Sequence, residues 1–179
     1  AADDPAGQLH ADDHERAGIL FVAASGNDGV SGGFHLPSSY SNSNIISVAA
    51  TDRSDRIASF SNTGSIGVDL AAPGVAVQST QGGGGLQVLS GTSMAAPHVA
   101  GTAALLWAQT PNLSVANARS CILGSVDTAS SLSGLVATGG RLNAEEALKC
   151  AQQSSGSQII GFKYEDTNLN GRWDNGESK

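Results

Sequence analysis

The sequence predicts an α/β fold with a mostly parallel sheet, and two stretches carry that expectation. Residues 19–24 (ILFVAA) are continuously apolar and stop at Ser25, Gly26, Asn27, Asp28 and Gly29, the pattern of a parallel strand covered on both faces. A helix is expected to begin near Thr92 to Met94, because Pro97 lacks an N–H and fits best in a first turn, where the leading N–H groups have no partner. The residues that follow, Met94, Ala95, Ala96, Val99, Ala100, Gly101, Ala103, Ala104, Leu105 and Leu106, are small or apolar on every side. Such a helix is expected to be central and buried.

The remaining elements follow in chain order. Residues 12–17 read as the end of a helix, with Gly18 supplying a left-handed cap before the first strand. Residues 32–44 are polar and turn-rich, 75–79 read as a short strand, and the glycines at 82–85 form a flexible loop before a strand at 86–89. After the long helix, Thr110, Pro111, Asn112 and Leu113 make a turn, and Ser114 caps a helix running to about Leu123. A last helix is expected from Asn143, with Glu146 completing a capping-box-like arrangement.

Composition bounds what the chain does. Its 179 residues suit one domain with a small appendage, while 23 glycines and 14% charged residues indicate tight turns and a weakly charged surface. A net charge of −7 and the absence of any Lys or Arg run argue against nucleic acid as a partner. No apolar stretch approaches the roughly 18 residues that span a bilayer. Residues 1–18 have neither a basic nor an apolar signal region and read as the middle of something larger.

Function is read from residues 91–101, GTSMAAPHVAG. Ser93 falls at the positive end of the long helix, where backbone N–H groups and the macrodipole favour developing negative charge. A serine that merely caps its own helix is the plain alternative. The eleven residues resemble the serine motif of subtilisin-like serine proteases, and the resemblance continues through 36–40, the strand at 45–51 (IISVAAT), 59–62 and 68–74. It implies a three-layer fold over 1–151, the C-terminal part of a peptidase domain. It also implies peptide-bond hydrolysis through an acyl-enzyme on Ser93, with Asn27 donating its amide to the oxyanion. Ala23, Ala24, Ser25 and Gly26 resemble the family's wall of the S1 pocket, for a polypeptide substrate.

The base that a serine needs is not evident. In this family the order is Asp, His, Ser, yet no HGTH-like or DTG-like motif precedes Ser93. His98 lies five residues on, about 140° round the helix from Ser93, and His10, His14 and His35 fall in polar segments. The chain therefore reads as a fragment that lacks the N-terminal half of its catalytic domain and is inactive alone, without any cofactor for catalysis. Gly91-Thr92-Ser93-Met94-Ala95 also approaches the GxSxG elbow of α/β-hydrolases, but those need a downstream histidine and only His98 is available. A pseudoprotease or calcium-dependent surface module is the surviving alternative.

Two further features point to an extracellular setting. Cys121 and Cys150 are compatible with one disulfide, and equally with two buried thiols; joined, they would suit a secreted or cell-surface protein. Residues 152–158 read as a polar linker. Beyond it, at 159–179, Asp166, Asn168, Asn170, Gly171, Asp174 and Glu177 fall at positions 1, 3, 5, 6, 9 and 12 of a calcium loop. The stretch resembles the start of calcium-binding repeats of bacterial surface proteins.

Overall fold

The computed structural model describes residues 4–32 and 35–154. Along the chain come α1 (Pro5–Arg16), β1 (Phe21–Ala24), β2 (Ile45–Thr51), β3 (Leu70–Pro73), β4 (Val77–Thr80), β5 (Leu86–Leu89), α2 (Thr92–Gln109), α3 (Val115–Gly124), β6 (Asp127–Thr128), a 3-10 turn (Ser130–Leu132), β7 (Gly140–Arg141) and α4 (Ala144–Ser154). The described strands form a five-stranded sheet in the order β1-β2-β3-β7-β6, and β4 pairs with β5 as a separate hairpin. β1, β2, β3 and β7 run parallel, with Phe21 opposite Ile45 and Val48 opposite Leu70. Within that sheet β6 is antiparallel, against β7.

Local chemistry sets the boundaries. Asp4 caps α1 by accepting from the Gly7 N–H at 3.0 Å, and Gly18 ends the helix at φ +67, a conformation costly for residues with a Cβ. Ser114 caps α3 through the Asn117 N–H, and Asn143 caps α4 through the Glu146 N–H at 3.0 Å. The Glu146 carboxylate turns to Lys149, 2.7 Å away, so the expected capping box forms only its Asn143 half. Pro97 sits at the sixth residue of α2, past the first turn. With no N–H there, the Ser93 carbonyl loses its usual i+4 donor.

The alternation of β2 builds three layers, since every one of its residues is buried. Ile46, Val48 and Ala50 pack with Leu70 and Ala72 against Ala95, Val99, Ala103 and Leu106 of α2, and α3 and α4 extend this core through Ile122, Ala147 and Ala151. On the opposite face, Ile45 joins Ala23 and Ala11 of α1, while Ala49 and Ala71 meet Leu132 and Val136. Cys121 and Cys150 form a disulfide that ties α3 to α4. That resolves the choice between bridge and free thiols.

Two expectations need correction. β1 is only partly buried and lies at the edge of the described sheet, with Ile19 outside it and 47% exposed. Helix α2 is covered on one side alone: Pro97, His98, Ala100, Gly101, Ala104 and Leu105 are exposed, Leu105 to 53%. An apolar sequence supplies faces fit for burial, but partners must be present to bury them. The calcium-loop residues Asp166, Asn168, Asn170, Asp174 and Glu177 lie outside the described residues, as does 159–179 as a whole.

Candidate active site

Ser93 is the second residue of α2 and is exposed. Its helix starts at the carboxyl ends of β1 and β3, because the Gly91 N–H donates to the Gly74 carbonyl at 2.8 Å just past β3. Gly74 permits that approach: a Cβ there would lie 2.8 Å from the Gly91 oxygen and clash with Ala50. Crevices outside the carboxyl ends of parallel strands are where such sheets bind ligands.

Asn27 reaches the same place from the turn after β1. Its Oδ1 accepts from both the Thr92 N–H at 2.9 Å and the Thr92 hydroxyl at 3.0 Å. With two donors on the oxygen, the amide orientation is fixed by its network. The Nδ2 group has no hydrogen-bond partner among the described residues and lies 3.6 Å from where a Gly91 Cβ would stand. Thr92 Oγ1 also accepts from the Gly26 N–H at 3.3 Å, and the residue is fully buried. A chain of hydrogen bonds thus runs from Gly26 through Thr92 to Asn27.

The turn bearing Asn27 is tied from below by Asn62, itself buried. Asn62 Oδ1 accepts from the Asp28 and Val30 N–H groups at 3.0 and 3.3 Å, and its Nδ2 donates to the Ser25 carbonyl at 3.0 Å and Asp28 Oδ2 at 3.2 Å. Of the expected pocket wall, Ala24, Ser25 and Gly26 lead into Asn27. The Ser25 hydroxyl points back to the Asn62 carbonyl, and Ala23 packs into the α1 core. Sequence reasoning singles out neither Thr92 nor Asn62. The role of Thr92 depends on a contact with a residue 65 positions away and that of Asn62 on one 34 positions away, and neither leaves a local signal.

An unbonded donor, a helix N-terminus and an exposed hydroxyl together suit a centre where oxygen gains negative charge. None of the described histidines is hydrogen-bonded to Ser93. His98 Nδ1 is 2.9 Å from the Met94 carbonyl on its own helix; His10 and His14 lie on α1, across the sheet, beside a hollow shared with Phe21 and Tyr40. Beside Ser93 is a cleft of ≈ 280 Å³ lined by Val77, Gln78, Ser79, Met94, Pro97 and His98. The perturbed carboxylates of α1 serve another purpose. Asp12 is held low by Asn42 and then Gln8, and Glu15 by the Ser43 hydroxyl and then Asn42, so these groups fasten the 42–43 loop to α1.

Comparison with known proteins gives a family and a fold. The profile of the subtilase family (Peptidase_S8) matches residues 3–162. Subtilisin Savinase of Lederbergia lenta is 45% identical over 133 residues, 74% of this chain and 47% of the relative. Alkaline elastase YaB of Bacillus sp. (strain YaB) is 43% identical over 134 residues, 74% of this chain and 34% of its own. A solved chain of the subtilase cytotoxin SubAB assembly superposes with a TM-score of 0.75 at 26% identity, over 87% of this chain and 56% of the other. The chain thus spans between a third and a half of the length of these two sequence relatives.

Proposed function

Because the chain belongs to the subtilase family, we propose that it supplies the nucleophile and the oxyanion donor of a serine endopeptidase. Ser93 Oγ attacks the substrate carbonyl and gives its proton to a base, while the new oxyanion is held by the Ser93 N–H and Asn27 Nδ2. Collapse expels the amine, which takes up that proton, and water then releases the acyl group from Ser93. The single observation that carries this reading is the Asn27 amide, turned by two Thr92 donors so that its NH₂ is left free. A residue that only made a turn would have no need of that orientation.

The base and its orienting carboxylate come, on this reading, from a further part of the catalytic domain. Family order puts them before the serine. The uncovered face of α2 and the edge of β1 support this, since both are apolar surfaces of the kind a domain buries. The 179 residues alone are accordingly inactive. The disulfide supports an oxidising, extracellular setting; among the described residues no helix is long and apolar enough to cross a membrane. In the full-length protein, Ser93→Ala leaves only residual peptide hydrolysis; undiminished turnover would remove the serine from the chemistry. A non-catalytic role for the domain would show as no hydrolysis in either form.

The spacing of Asp166, Asn168, Asn170, Asp174 and Glu177 supports calcium binding by the tail. Titration calorimetry on the full-length protein should show calcium heat that Asp166→Ala removes. Heat unaltered by that change would assign the ion elsewhere.

A further inference from the structure

Building on the reading of Asn27 as oxyanion donor, we propose that Asn62 is a positioning residue for that donor: Asn62 fixes where Asn27 stands, as Thr92 fixes which way its amide faces. Asn62 is 2% exposed and meets the turn after β1 from the segment that follows Phe60. The two segments run side by side. The Asn62 N–H donates to the Gly26 carbonyl at 3.0 Å, the Gly29 N–H to the Phe60 carbonyl at 2.8 Å, and the Thr63 N–H to the Val30 carbonyl at 2.9 Å. Between these main-chain bonds stand Asn27 and Asp28, and the Asn62 carboxamide closes the gap. Its Oδ1 accepts from the Asp28 and Val30 N–H groups while its Nδ2 donates to the Ser25 carbonyl and Asp28 Oδ2. One planar group thus bonds residues on both sides of Asn27.

The residue type follows from that task. A carboxamide carries acceptor lone pairs and two donor hydrogens in one plane, whereas a carboxylate only accepts. The amide is also seated closely: a Cβ on Gly26 would collide with Asn62 Nδ2, so the amide lies against the Gly26 backbone. Its own backbone is anchored in turn. The Asn62 carbonyl accepts from Ser25 Oγ at 3.0 Å and Ser61 Oγ at 3.1 Å, and Ser61 Oγ accepts from the Ala50 N–H of β2 at 2.9 Å. The clamp is therefore fastened to the fully buried strand β2.

Asn27 itself makes no main-chain hydrogen bond among the described residues. Its backbone is placed by the neighbours that Asn62 holds, and its side chain by Thr92. An oxyanion donor acts only at the position the charge will occupy. Misplacing such a group by about 1 Å costs up to about 100-fold in rate.

In the full-length enzyme, Asn62→Asp and Asn62→Ala are to be compared by steady-state kinetics per folded molecule, each alone and together with Asn27→Leu. Asn62→Asp keeps the size and the acceptor for two N–H groups but sets a carboxyl group against the Ser25 carbonyl and Asp28; Asn62→Ala removes the clamp altogether. Alone, either change should lower kcat about 10- to 100-fold and alter KM far less, because the donor acts in the transition state. Together with Asn27→Leu, the same change should cost no more than about twofold beyond Asn27→Leu itself, since no donor remains to be misplaced. A loss of similar size in both backgrounds, full kcat in a folded variant, or failure of both variants to fold overturns the proposal and leaves Asn62 a purely structural residue. If Asn27→Leu by itself leaves kcat undiminished, the reading of Asn27 as donor fails and takes this one with it.

Discussion

At the scale of single residues, the proposed catalysis depends on which way the Asn27 amide faces, and two Thr92 donors hold it. Two Thr92 donors hold Oδ1, so rotation of the amide would set its NH₂ against a hydroxyl and an N–H that need an acceptor. In the full-length enzyme, Asn27→Leu should lower kcat about 100- to 1000-fold with little change in KM, the loss seen when a subtilisin is deprived of its own oxyanion asparagine. Thr92→Val removes one of the two holds and should cost about tenfold in kcat, while Thr92→Ser restores it. Steady-state kinetics of the three variants decides: full kcat in a folded Thr92→Val would show that the hydroxyl orients nothing of consequence. Ser93 is marked as a candidate by the proline and small residues that place it at a helix start, whereas Asn27 is marked by the family resemblance, because its Gly-rich turn alone reads as a turn. Thr92 is not marked, because a threonine opening a helix looks like any other until the turn at residues 25–30 is folded against it.

At the scale of elements, caps and turns are the most legible features, since Gly18, Ser114 and Asn143 act on neighbours only a few residues away. The two-residue strands β6 and β7 carry no comparable signal. They exist because Arg141 reaches Asp55 and Asp127, at 2.6 and 2.7 Å, and because Gly140 leaves room beside Val126. The sidedness of α2 is also hidden, as a helix apolar all round does not say which face finds a partner. The disulfide joins residues 29 apart in the chain. Closing a loop of that size should stabilise by about 3 to 4 kcal/mol in the chain-entropy model, whose entropic basis is disputed. Thermal melts of this chain with and without reductant should show a clearly lower midpoint when reduced, and the paired change of Cys121→Ser with Cys150→Ser should reproduce it. Coincident midpoints would mean that packing between α3 and α4 carries the contact without the bridge.

At the scale of the whole molecule, the three layers are legible through the family resemblance, and β2 shows their physical origin by burying one side chain set under α2 and the other under α1 and residues 132–136. What the chain holds is a rigid platform: a sheet, a helix start fixed at Gly74, and a turn knotted by Asn62. On this platform sit the Ser93 hydroxyl and the Asn27 amide, the latter proposed as the oxyanion donor, while the proton-handling partners are proposed to arrive on the uncovered apolar surfaces. All of this requires that Ser93 become covalently bonded to the substrate. Treating the full-length protein with an organophosphonate probe and mapping the modified peptide by mass spectrometry tests that bond without intermediaries. A single label is expected on the peptide bearing Ser93, absent from Ser93→Ala; a label on any other residue, or labelling that persists in Ser93→Ala, would contradict it.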